Sequence, residues 1–347
     1  MTSNLAVAET PKPIDVPADD TAAAARRWFK TLSQYRIPSV SRSLIEIGIT
    51  VGPFLSLFIA ALWATTVSWW LAAPLTLACS VFLMRMFLIQ HDCGHASFFT
   101  SRRANDWVGR VVGVFTMTPY RLWRDSHQIH HAGHGNLEHR GIGDIFTLTV
   151  EEFQALSPLK RIAYRVYRHP VVMFGLGPAA VFILQQRIPL GMWQAKYWLS
   201  CLGTNLGIAA ILTAGALTVG LIPTLIVWAT AVTLAATAGV WLFYVQHQFE
   251  DAVWDEAKDW NVHEAALFGS THYDLPQPLR WITANIGIHH VHHLYSRIPY
   301  YRLPAVLRDH PELADVRRLT LGESLKTAKL KLWDTQTRKM VGFSAVS

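Results

Sequence analysis

Four stretches of this chain carry no charged side chain: 47 to 66, 67 to 84, 197 to 219 and 221 to 246. Each is about the 20 residues that an α-helix needs to cross a hydrocarbon layer. They predict four membrane-crossing helices, the second continuing to about residue 90. The last two runs form one uncharged stretch too long for a single crossing, and Gly220 with Pro223 supplies the break. Two shorter apolar segments, 107 to 119 and 171 to 185, fall short of a crossing, and Arg110 interrupts the first. If 171 to 185 crossed alone, His247 would emerge opposite His91. If both crossed, the histidines of 127 to 139 would be stranded on the outer side. Both are therefore expected as helices lying in or dipping into the interface.

Composition agrees with a membrane class. Of 347 residues, 51% are hydrophobic and 16% charged, and the mean hydropathy is +0.21, more apolar surface than a soluble domain of this size can hide. The net charge of +7 gathers in the N-terminal segment, the loop from 97 to 196 and the tail, while the turns near 66 and 220 have no Lys or Arg. By the positive-inside rule both termini and the long loop are cytoplasmic. A solvated basic face explains this charge, as does attraction to anionic headgroups or to an acidic electron donor. Cys79, Cys93 and Cys201 lack CxxC spacing, which argues against a disulfide framework or a thiolate zinc site. Arg26 and Arg27 before Trp28 and Phe29 are no export signal, because the residues after Lys30 are polar.

Histidine changes the picture from a membrane protein to a metalloprotein. Of 16 histidines, seven lie between His91 and His139 and four between His289 and His293. His91 and His95 stand i, i+4 at the end of the second span, on one helix face. His127, His130 and His131, and again His289, His292 and His293, form HxxHH patterns that place i, i+3 and i+4 on one face. Neutral imidazole coordinates Fe, Cu, Zn and Ni well. Topology brings the three patterns to one side of the membrane, and His247 lies just beyond the fourth span. Nine ligands are too many for one metal and suit two.

The residues leave the metal open. Zinc prefers four ligands, often with thiolate or carboxylate, whereas an all-imidazole site of this size suggests a redox metal. The Glu-x-x-His signature of soluble di-iron bundles is absent. His263 and Glu264 begin an HExxH pattern without its second histidine. Gly175, Gly177 and Ala180 match GxGxxA outside any βαβ context, so no bound nucleotide is expected and reducing equivalents come from a partner.

The three boxes, with Asn285, Ile286 and Gly287 before the last and Ile298, Pro299, Tyr300 and Tyr301 after it, resemble the membrane fatty-acid desaturase superfamily. The similarity is closest to bacterial acyl-lipid desaturases of the omega-6 or delta-12 kind. It runs from about His91 to Pro304 and takes in Gly135, Asn136 and Leu137, Gly143, Asp144 and Ile145, and Gln248, Phe249, Glu250 and Asp251. The resemblance implies two non-haem irons held by His91, His95, His127, His130, His131, His289, His292 and His293, with His247 an additional ligand. It also implies activation of O2, removal of two vicinal hydrogens from an acyl chain, and electrons from ferredoxin or a small haem cytochrome. His169 and Pro170 are followed by two valines, so no haem motif is fused here. His134 and His139 stand where the family more often has a small polar residue and an arginine. Gly133 and Gly135 would break the helix, which sets His134 aside, and His290 points about 100° away from His289. Asp92, Asp125, Asp144, Glu250 and Asp251 are candidates for orienting imidazoles through the second ring nitrogen. Arg85 is expected to snorkel to the headgroup level, where it or Arg140 meets a lipid headgroup.

The expected protein is all-α, an integral membrane protein with four spans in two hairpins (about 47–66, 67–90, 197–219 and 221–246) and a cytoplasmic histidine-rich helical cap. A disordered tail over 1–24 precedes a desaturase domain over 25–310 and a C-terminal cytoplasmic segment over 311–347. The expected function is fatty-acyl desaturation at a bacterial inner membrane, with lipid and O2 as partners and no nucleic acid. Hydroxylation or ketolation of a lipid or carotenoid is the alternative within the same chemistry. A metal transporter or haem-binding protein is the remote one, because transport sites lie near the midplane on broken helices.

Overall fold

A computed structural model describes residues 18–346. Residues 1–17, most of the expected tail, lie outside the described residues, and helix is described from Ala18 onward. The chain is mostly helical. The helices that carry or position the site are α1 (Ala18–Leu32), α2 (Val40–Ala64), α3 (Trp69–Gly94), α4 (Arg102–Phe115), α5 (Tyr120–Gly133), α6 (Ala195–Thr218), α7 (Leu221–His247) and α8 (His289–Leu294).

Helices α2, α3, α6 and α7 are long and apolar enough to cross a membrane. Local chemistry sets their ends. Ser39 and Ser68 cap α2 and α3 by accepting from the backbone N–H of Arg42 and Trp70, and Gly220, at φ +101°, makes the turn between α6 and α7. Each helix starts or stops within a few residues of its apolar run, except that α2 begins seven residues earlier and takes in Glu46. Their outer faces carry exposed Trp63, Trp70, Leu206 and Leu217, a belt suited to lipid and costly in water. The most buried of the four is α3, between α2 and α7.

The two shorter apolar segments do not form simple crossings. The first becomes α4, capped by Ser101 and packed on α3 and α6. The second belongs to a bent pair, Pro158–Tyr167 and Val172–Arg187, whose axes meet at 56° and whose second arm contains two π-helical turns. The C-terminal ends of α3 and α7 finish at the same histidine cluster. An unreturned crossing between them would have put those ends on opposite faces, so the bent pair reads as a re-entrant segment.

Among the described residues, five short strands supplement the helices. Leu148–Thr149 and Leu332–Asp334 pair in parallel, the latter also antiparallel to Lys339–Val341, and His272–Asp274 pairs with Arg318–Thr320. These strands and the fully buried Arg168, which donates to Gln248 Oε1 at 2.7 Å and to the Leu330 carbonyl at 3.1 Å, tie the C-terminal residues to the loop after α5 and to the end of α7. An all-helical reading misses them because two- and three-residue strands leave no alternation to detect.

Candidate metal centre

The three boxes reach one place by separate routes. His91 lies in the last turn of α3, and His95 caps that helix. His127, His130 and His131 occupy the second half of α5, and His247 ends α7. The short α8 begins at His289 and holds all of the third box. Its ring of His290 turns away to donate to the Leu313 carbonyl at 2.8 Å, on the side opposite its three neighbours.

The imidazoles sort into two adjoining groups in which one ring nitrogen per residue lies within 4.8 Å of every other. His91, His95, His127, His131 and His292 form one, and His130, His247 and His293 the other. Helical spacing explains the division: His127 and His131, at i and i+4, face one group, while His130, one position back, faces the other. Adjacent His292 and His293 divide in the same way. His289 Nε2 lies 3.0 Å from His247 Nε2, so all nine histidines that the sequence singled out meet here.

The donors suit metal ions rather than a proton network. Burial first, and then neighbouring imidazoles, push His95, His127, His131, His289, His292 and His293 well below the usual histidine range. They are therefore neutral, the form that binds metal. His95 Nε2 is buried without a hydrogen-bond partner, as a lone pair reserved for an ion would be.

Two carboxylates orient the rings. Asp144 pairs with His130 Nδ1, and Asp92 Oδ1 lies 3.3 Å from His91 Nδ1. The other acidic candidates are engaged elsewhere: Asp125 with Arg121 and Arg124, Glu250 with Lys339, and Asp251 with Lys339 and Arg317.

Several side chains depart from the sequence-based expectation. Gly133 does end α5, and Gly135 has φ +77°, yet the turn carries His134 inward. It donates from Nε2 to the Gly269 carbonyl at 2.7 Å, lies 3.2 Å from His247 Nδ1, and groups with His130 and Asp144. Burial lowers its pKa to about 4. His139 is exposed and outside both groups. Arg85 does not snorkel: it is 2% exposed and paired with Glu46. Arg140 is held by Glu152. Glu46 went unnoticed because it sits one residue before the uncharged run. An acidic residue in one apolar helix and a basic one at similar depth in the next was the available signal.

Beside the centre lies a cavity of about 1140 Å³. His91, His127 and His289 form part of its wall. Leu83 and Met84 of α3, Ala236 and Gly239 of α7, and Met173 and Phe182 of the bent pair supply much of the apolar remainder.

Comparison with known proteins bears on this geometry. The sequence profile described as "Fatty acid desaturase" matches residues 68–323. The chain is 40% identical to a protein of Bacillus subtilis (strain 168) named "Fatty acid desaturase", over 92% of this chain and 91% of that one. It is 28% identical to the "sn-1 oleoyl-lipid 12-desaturase" of Synechocystis sp., over 75% and 72%. It is 26% identical to the "sn-1 acyl-lipid omega-3 desaturase (ferredoxin)" of the same organism, over 77% and 74%. With histidine clusters able to hold metal beside an apolar cavity and four helices long enough to span a membrane, the chain belongs to the fatty acid desaturase family and is an oxidoreductase.

Proposed function

We propose that this protein uses O2 to introduce a C=C bond into a fatty-acyl chain of a membrane lipid. Two non-haem irons would be held by His91, His95, His127, His130, His131, His247, His289, His292 and His293. The observation that carries the reading is the seating of two adjoining imidazole groups against an apolar cavity: His91 and His127 of the first group also line the cavity, as does His289, which contacts His247 of the second. Bound iron supplies the redox chemistry that couples O2 reduction to removal of two vicinal hydrogens. O2 takes up four electrons, two from the acyl chain and two from a donor. Two hydrogens from the chain and two protons from solvent complete two waters.

The residues of the chain bind and orient. Leu83, Met84, Ala236 and Phe182 exclude water and confine the acyl chain, so that one pair of carbons stands beside the imidazoles. Asp92 and Asp144 hold the Nδ1–H of His91 and His130, which leaves Nε2 of each for metal. His134 restrains His247 from the side away from α8.

The basic N-terminal segment, loop and tail support a cytoplasmic position for the site and both termini at a bacterial inner membrane, with the spans paired as two hairpins. A small acidic electron carrier, ferredoxin or a haem cytochrome, supplies electrons there. The name of one cyanobacterial relative supports the former.

The test is lipid analysis. A host expressing the protein should accumulate a new unsaturated fatty acid, located by gas chromatography with mass spectrometry, and a His130→Ala control should not. A hydroxylated product without a new alkene would overturn desaturation.

A further inference from the structure

Glu46 and Arg85 are charged, buried and inside apolar helices. Such residues are expensive in a membrane and mark function by default. Roughly 9 Å separates Glu46 from the start of α2 and roughly 13 Å separates Arg85 from the end of α3, at 1.5 Å per residue. The two lie at similar depth below the histidine groups.

Every polar atom of the pair is engaged, and one of the contacts, from Tyr300, leads toward the metal centre. Arg85 Nη2 donates to Glu46 Oε2 at 2.5 Å and Arg85 Nε to Thr50 Oγ1 at 3.1 Å. Its guanidinium lies 4.2 Å from the Trp281 ring centroid and donates to the Trp281 carbonyl. Glu46 Oε1 accepts from Arg42 Nε at 3.0 Å. Glu46 Oε2 also accepts from the Tyr300 hydroxyl at 3.0 Å. Tyr300 is 1% exposed, and its backbone N–H donates to Asp92 Oδ2 at 2.7 Å. The other oxygen of Asp92 faces His91 Nδ1.

We propose that the Glu46–Arg85 pair and Tyr300 are positioning residues for the metal centre. They hold the turn that presents the Tyr300 N–H to Asp92, and Asp92 in turn fixes the tautomer and orientation of His91. Packing of α2 on α3 does not require the pair, since apolar residues of similar volume fill such a space equally well or better. What an apolar pair lacks is an acceptor for the Tyr300 hydroxyl. The inference rests on the preceding reading only in that His91 holds a metal.

The experiment compares wild type with Tyr300→Phe, Asp92→Asn and the double variant Glu46→Leu/Arg85→Met. Each protein, purified in detergent and freed of metal, is titrated with Co(II) and followed by its ligand-field absorption. Each is also melted without metal and assayed for desaturation after iron loading. Residues around metal ligands typically change affinity 10–100-fold. Asp92→Asn should fall in that range. Tyr300→Phe and the double variant should each lose about 10-fold in Co(II) affinity and in kcat, with KM and apoprotein melting temperature near wild type.

Unchanged affinity and kcat in both Tyr300→Phe and the double variant would overturn the proposal. So would losses that follow apoprotein melting alone. The double variant removes both charges together, leaving neither unpaired, so it answers the question if a single change at Glu46 fails to fold. If wild type binds Co(II) and the variants bind it more weakly, but no protein desaturates lipid, the functional reading fails and the positioning role stands.

Discussion

Asp144 and Asp92 do the same work on two different histidines. Each faces Nδ1 of an imidazole and so directs Nε2 toward the proposed metal position. Asp144→Asn keeps the shape but removes the charge that favours an Nδ1–H donor. Metal affinity is expected to fall about 10–100-fold, measured by Co(II) or Fe(II) titration, with little change in apoprotein melting. His134 acts differently, since the N–H it gives to Gly269 leaves Nδ1 as its only free nitrogen. It is held beside His247 by the backbone of the turn before Ser270, far away in sequence.

At the scale of elements, the site depends on how short segments are aimed. Asp144 reaches His130 because Gly143 adopts φ +74°, and a Cβ there would stand 2.9 Å from the Ser126 carbonyl. Gly143→Ala is expected to cost about 1–3 kcal/mol, read as a lower melting temperature, and to weaken metal binding by shifting Asp144. On α7, Gly239 lines the cavity and has nothing within 4 Å of an added Cβ. Gly239→Leu should therefore fold normally, keep its metal, and fill space intended for substrate. Product formation should fall about tenfold or more; an unaffected rate on every chain length would show that the acyl chain lies elsewhere.

For the whole molecule, the price of gathering so many neutral histidines is sensitivity to acid. His290, fully buried, is lowered to about 3, by burial and then by His272. His272 is lowered as well, chiefly by burial. Between the folded value and the unfolded value of about 6.5, the unfolded chain binds protons that the folded chain refuses. Stability therefore rises with pH in this window, falls as pH drops below about 6.5, and levels off above it. At pH 5 the loss from His290 alone is about 2 kcal/mol. His95, His127, His131, His289, His292 and His293, lowered by burial first, have the same sign. Metal-free protein should melt at progressively lower temperature from pH 7.5 to pH 5, and bound metal should raise the melting temperature by stabilising only the folded form. A flat melting profile across that range would contradict the neutral-histidine assignment.

Some of this was present in the residues alone. Four uncharged runs determine four lipid-compatible helices, because a backbone in hydrocarbon must satisfy its own hydrogen bonds and only length and apolarity are needed to read that. One histidine pair at i, i+4 and two patterns at i, i+3 and i+4 determine candidate metal-binding faces, because helical periodicity is local. Tertiary structure decided the rest. Which imidazole joins which group, whether His134 turns inward after Gly133, and why Arg85 finds Glu46 rather than the headgroups all depend on how elements more than 30 residues apart pack against one another. Burial and partner distance are properties of that packing, and no window of sequence contains them.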